Sequence, residues 1–148
     1  MVLLRNGPGQ LDAATTAVRL LTGTSEIVVG VIADDGAAQS VLLAISDGTP
    51  VVAAAGGTGP VWSRFVRAAG ELGRTCRWES TVLAGLSGTQ IELLWALGGG
   101  LRVPAAARSA SVSERSAHRQ LIDARLQLGA RTNSHAATIV RSGVTQLG

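Results

Sequence analysis

The spacing of apolar residues changes character near residue 80. Before it, short continuous apolar runs alternate with stretches of helical period; after it, only the helical period remains. Val2 to Arg5 reads as a short strand, closed by the turn signal Asn6-Gly7-Pro8-Gly9. Leu11, Ala14, Val18 and Leu21 mark one face of a helix that ends near Gly23. Glu26 to Ala33 is a β-branched run, the pattern of a strand buried on both faces. Asp34-Asp35-Gly36 turns the chain, with the two carboxylates read as turn and helix-capping residues. Ala37 to Ile45 fits helix or strand, and helix is the preferred reading. Thr49 to Ala55 is a second buried strand. Pro60, after Gly56-Gly57-Thr58-Gly59, suits a first helical position, and Val61, Phe65, Ala68 and Leu72 follow at helical spacing. Thr75 to Glu79 is a last, edge strand. Residues 1–80 are therefore expected to form a small parallel α/β layer.

Ser80 to Gly85 is too short for a flexible linker, so the two parts are expected to pack together. Beyond it, Ile91, Leu94, Trp95 and Gly98 outline a helix broken by Gly98-Gly99-Gly100. Pro104 opens a second helix running through Arg108. Ser113 is placed as the N-cap of a third and longer helix, with Glu114 in its first turn, where a carboxylate suits the helix dipole. Ala117, Leu121, Ala124 and Leu128 then draw one apolar stripe, Arg115 and Arg119 take the opposite face with His118 on its flank, and Gly129 supplies the stop. Asn133 or Thr132 caps a fourth helix with Ala136, Ile139 and Val140 on its apolar face. Residues 86–148 are thus expected to be an all-α, four-helix domain.

Composition sharpens this division. At 148 residues, with 46% hydrophobic and 16% charged, the chain has the means to bury a core and is not a disordered segment. No apolar run approaches a bilayer span, and the N-terminus lacks the charged region of a signal peptide. The single cysteine, Cys76, suits a reducing cytoplasm and is read as a small buried residue instead of a nucleophile. Residues 1–85 hold six arginines and seven acids, a net −1, whereas residues 86–148 hold seven arginines and three acids, a net +4. All 13 basic residues are arginine. A helix buried on one side and arginine-rich near its N-terminus, within the basic half, has the form of a major-groove reading helix.

The residues that carry a family likeness lie in that half. Leu86-Ser87-Gly88-Thr89-Gln90-Ile91-Glu92-Leu93-Leu94, Gly100, Val112-Ser113-Glu114-Arg115-Ser116, Leu128-Gly129-Ala130-Arg131 and Ala136 resemble the LuxR-type helix-turn-helix domain, without a gap, over about a third of the chain. Pro104 and Ala105 stand where that family has Lys-Glu, Ala117 replaces its Val, Gln120 its His and Gln127 its Lys. The resemblance implies a DNA-binding domain in which Ser113, Arg115, Ser116, His118 and Arg119 face bases or phosphates, while Arg102, Arg108, Arg125 and Arg131 serve phosphates. It also implies a homodimer, since one such module contacts too few base pairs for specific binding. Ile139 and Val140 of the fourth helix, or the sparsely charged α/β domain, would supply the contact; the α/β domain is preferred because one short helix buries too little area.

The order of an α/β domain before a LuxR-type domain resembles a response regulator, so residues 1–80 are read as a degenerate receiver. Phosphoryl chemistry does not follow. A receiver needs an acidic pair, an acceptor Asp, a Ser or Thr and a Lys, and this chain has no Lys. With Asp34 as acceptor, Asn6 and Gly7 occupy the place of the acidic pair. With Asp34-Asp35 as the pair, the next strand offers only Ala53 to Ala55. The Gly56–Pro60 segment matches neither the dinucleotide fingerprint nor the P-loop, and is read as an αβ connection in preference to a ligand loop. No catalytic group, metal or cofactor is assigned, because no acid/base pair, ligand cluster or activated nucleophile stands out.

The expectation is a cytoplasmic, non-enzymatic transcriptional regulator that binds double-stranded DNA as a homodimer, with room for a protein or small-molecule effector at the N-terminal domain. The alternative is an interaction protein whose helix-turn-helix has lost DNA affinity and sequesters another regulator.

Overall fold

The computed structural model describes residues 1–7, 11–57 and 59–148. Part of the Asn6–Gly9 turn and Thr58 of the glycine-rich segment lie outside the described residues. In order, the elements are β1 (Val2–Arg5), α1 (Leu11–Thr22), β2 (Val28–Ile32), α2 (Asp35–Ser46), β3 (Val51–Ala55), α3 (Pro60–Leu72) and β4 (Thr75–Arg77). A 3₁₀ turn at Trp78–Ser80 follows, then α4 (Gly88–Gly98), α5 (Val103–Ser109), α6 (Glu114–Leu128) and α7 (Asn133–Leu147).

The sheet is parallel, as the alternation of strands and helices predicts, but its order is β2-β3-β1-β4. A receiver-type sheet runs 2-1-3-4-5, with its first strand beside its second. Here β1 lies between β3 and β4, so the receiver-like reading of residues 1–80 is corrected at the level of topology. Strand alternation divides the core. Val2, Leu4, Ile32, Val51 and Ala53 pack with Val41 and Ile45 of α2 and Phe65 and Ala69 of α3. Leu3 and Val52 face the other way, onto Ala13, Ala14, Ala17 and Val18 of α1.

Two sequence expectations shift with this arrangement. β2 is an edge strand, shorter than the Glu26–Ala33 run and buried on one face only, since Val29 and Val31 are 45% and 41% exposed. Hydrophobicity alone does not distinguish a central strand from an edge. The buried face of α3 passes through Phe65 and Ala69, leaving Leu72 exposed, because the helix meets only one side of the sheet.

α1 joins the sheet to the helical half. Its buried stripe is widened by Ala13 and Ala17, because α1 is sandwiched between the sheet and α4 with α7. Small residues make the approach close. A Cβ at Gly88 would lie 3.0 Å from Thr16 Oγ1 and 3.3 Å from Asp12 Oδ2, so α4 starts close against α1 and a larger residue would crowd those side chains. Arg19 reaches Glu92 across the same crossing at 3.5 Å. At the far end, a Cβ at Gly143 would meet Val82 Cγ2 at 2.9 Å, placing α7 directly on the junction. Trp78, Leu83 and Leu86, fully buried in and around that junction, complete one core cluster that runs from Leu3 and Val52 through α1 to Val144.

Candidate nucleic-acid interface

Local sequence explains why α6 is presented as it is. α5 and α6 are separated by Ala110, Ser111, Val112 and Ser113, with Ser111 at φ 56°, in the left-handed region. Ser113 is the N-cap, its hydroxyl accepting from the backbone N–H of Ser116 at 3.1 Å. Gly129 terminates the helix at φ 63°, a conformation glycine adopts without penalty. Ala117, Leu121 and Ala124 are buried against the other helices, as the stripe predicts, and Leu128 is half-buried.

The outward face carries the charge. Arg115, His118 and Arg119 are exposed, and Ser113, Arg115, Ser116 and Arg119 together line a concavity of about 230 Å³. Two guanidiniums and two hydroxyls converging on one hollow make a donor-rich surface, complementary to phosphate or to the acceptor edge of guanine. His118 Nε2 lies 3.7 Å from Glu114 Oε1, one turn back on the helix. The two exposed side chains are thus neighbours at the edge of the basic face, a proximity that sequence reading did not assign.

Arg102 and Arg108 are exposed on α5, Arg102 as its N-cap residue and Arg108 in its last turn. Arg131 is exposed in the connection to α7. Arg125 is half-buried and makes a contact within the chain. Its Nη1 donates to the carbonyl of Arg131 at 3.3 Å and its Nε is buried, so this guanidinium ties the α6–α7 connection together. Arg141 is a second arginine with a structural role. It stacks 4.2 Å from the Trp95 ring centroid, donates to the Trp95 carbonyl at 3.2 Å, and occupies the space that a Cβ at Gly98 would need. Below the basic face, Ile122 and Leu126 continue the outward stripe of Arg115 and Arg119 and stay exposed, at 49% and 76%.

No family model matches the chain, and no curated protein matches it.

Most of the apolar face of α7 packs within the chain. Val140 is fully buried, with Ala136, Ala137 and Val144, against α4 and α1, and Thr132 is the residue that caps the helix. Val140 is therefore packed within the chain, while Ile139 is only half-buried.

In the α/β half, Asp34 takes the helix-capping role read from the sequence, while Asp35 is the first residue of α2. Asp34 Oδ1 accepts from the N–H of Ala37 at 2.8 Å, and Asp35 pairs with Arg64 at 2.7 Å on the surface. Incubation with acetyl phosphate should therefore give no mass increase and no change of oligomeric state, as intact mass and sedimentation would record. A stoichiometric adduct on either aspartate would contradict this. Cys76 is half-buried. Burial pushes its thiol above the usual cysteine range, with Arg74 pulling weakly the other way, which leaves little thiolate at neutral pH. Among the described residues no helix is long and apolar enough to cross a membrane.

Proposed function

We propose that the chain is a transcriptional regulator that binds double-stranded DNA as a homodimer through a LuxR-type helix-turn-helix, with α5 and α6 as the paired helices and α6 in the major groove. The observation that carries this reading is the hollow formed by Ser113, Arg115, Ser116 and Arg119 on the outward side of a helix whose inner side is anchored in the core. Arg115 and Arg119 stand one turn apart, about 6 Å along the helix axis. Two guanidiniums at that rise sample neighbouring base pairs, and each matches guanine O6 and N7 in a bidentate fork. Arg102, Arg108 and Arg131 flank the helix and meet phosphates, fixing register without reading sequence. The net +4 of residues 86–148 supplies the attraction along the way. The protein acts in the cytoplasm, without a cofactor and outside aspartyl-phosphate control.

A second reading rests on Ile122 and Leu126. A groove-reading helix has no need of two exposed apolar residues below its arginines, and a helix that docks on another regulator does. Pro104, Ala105 and Gln127, which replace charged residues of the LuxR pattern, point the same way. Capture of sheared genomic DNA by the purified chain, followed by sequencing, separates the two. A shared motif among the recovered fragments supports the regulator; recovery no better than from beads alone supports the docking helix.

A further inference from the structure

The two edges of the sheet are built differently. β4 is three residues long, carries Arg77 and runs straight into the 3₁₀ turn at Trp78. β2 is Val28-Val29-Gly30-Val31-Ile32, with no charge and no proline, and among the described residues no other strand lies along its outer side. Natural edges normally carry at least one such guard against pairing with another chain. The helix beside it is equally bare. α2 has one charged residue, Asp35, and its exposed positions Gln39, Ser40 and Leu43 are neutral, with Leu43 61% exposed. By contrast α3 carries Arg64, Arg67 and Glu71.

Backbone register adds the second observation. Val28 N donates to Pro50 O, and Gly56 N donates to Ile32 O, so residues 28, 30 and 32 turn their backbone groups toward β3. In a parallel ladder the intervening residues point the other way. Val29 and Val31 thus direct both N–H and C=O outward, and the same two residues expose their side chains.

We propose that β2 is the homodimer interface, pairing antiparallel with β2 of a second copy across a two-fold axis at Gly30. This deepens the homodimeric reading above and rests on it. The strand is nearly palindromic about Gly30, valine on each side and then Val28 or Ile32. With Gly30 on the axis, Val29 of one copy lies opposite Val31 of the other, and each pair exchanges both hydrogen bonds. Every outward backbone group of Val29 and Val31 is satisfied in both copies, and the valine side chains meet on the face that α1 leaves uncovered. Gly30 sits at the non-hydrogen-bonded position, where Cα atoms approach most closely, about 4.5 Å. The occupant is a second copy on grounds of self-complementarity. Under that axis the strand is its own complement, and residues 27–33, which carry no charge, bring no like charges together. The five-residue edge alone falls short of the roughly 800 Å² per partner of a stable complex. The neutral outer side of α2 extends the contact.

Sedimentation of the full chain at micromolar concentration tests this, with Val29→Lys, Val31→Lys and Leu126→Lys beside wild type and circular dichroism as the check on folding. The expected result is a dimer for wild type and Leu126→Lys and a monomer for the two valine variants. Amide exchange on wild type gives an independent reading: Val29 and Val31 amides should be slowed at high concentration and lose that protection on dilution. A folded Val31→Lys that remains dimeric, a monomeric Leu126→Lys, or exchange at Val29 and Val31 that ignores concentration overturns the β2 interface and leaves the dimer and the DNA reading standing. A monomeric wild type overturns the interface and the homodimer together. DNA capture by wild type is scored separately, so loss of that activity is not mistaken for loss of this surface. Heterologous peptide captured on β2 of a monomeric wild type also counts against the proposal.

Discussion

Trp78→Ala is expected to lower stability by about 3–5 kcal/mol, as loss of a large side chain from a packed core does. Trp78 is fully buried and is the largest such side chain in the chain's core. Its position makes the loss consequential. It follows β4 directly and shares one cluster with Leu3 of the sheet, Leu83 and Leu86 of the junction, and α1. A cavity there loosens the sheet from the helices and not merely one element from its neighbour. Trp78→Phe should cost much less, because it keeps an aromatic ring in the same place and removes far less volume from the core. Urea titrations followed by circular dichroism would measure both, and equal midpoints for Trp78→Ala and wild type would contradict the shared core.

The second large effect concerns the basic face. Arg119→Ala should cost about 1–3 kcal/mol of binding to a selected site if its guanidinium reads a base, with little loss on unrelated duplexes. Arg131→Ala should weaken binding evenly across sequences and reduce the salt slope by about one unit, the signature of a phosphate contact. Arg125→Ala should behave differently from both. Since Arg125 holds the carbonyl of Arg131, its loss should show first as a lower unfolding midpoint. Fluorescence anisotropy on labelled duplexes over a salt series distinguishes the three patterns.

Periodicity carried most of the fold. The stripe Ala117, Leu121, Ala124 marks the buried side of α6, and Ser113 and Gly129 bound the helix from its first cap to its left-handed stop. Local capping and burial depend on residues close in sequence, so they are legible there. Strand order is not, because the run Val28–Ile32 looks the same in the centre of a sheet and at its edge; only the crossover from β1 past β3 decides it. The same limit applies to α7. Val140 reads as one member of an amphipathic face, and whether that face meets another subunit or α4 depends on how the chain is closed. Among the arginines, composition revealed a basic half but did not separate Arg115 and Arg119, which open outward, from Arg125 and Arg141, which are bound to main-chain carbonyls.

The central claim is that the outward face of α6 binds duplex DNA, and the salt dependence of that binding tests it most directly. Wild type titrated against a duplex recovered by genomic capture should show a logarithm of affinity falling linearly with the logarithm of salt concentration. The slope should reflect several phosphate contacts and become shallower in Arg131→Ala. Absence of binding at low salt, or a wild-type affinity indifferent to salt, would contradict the account.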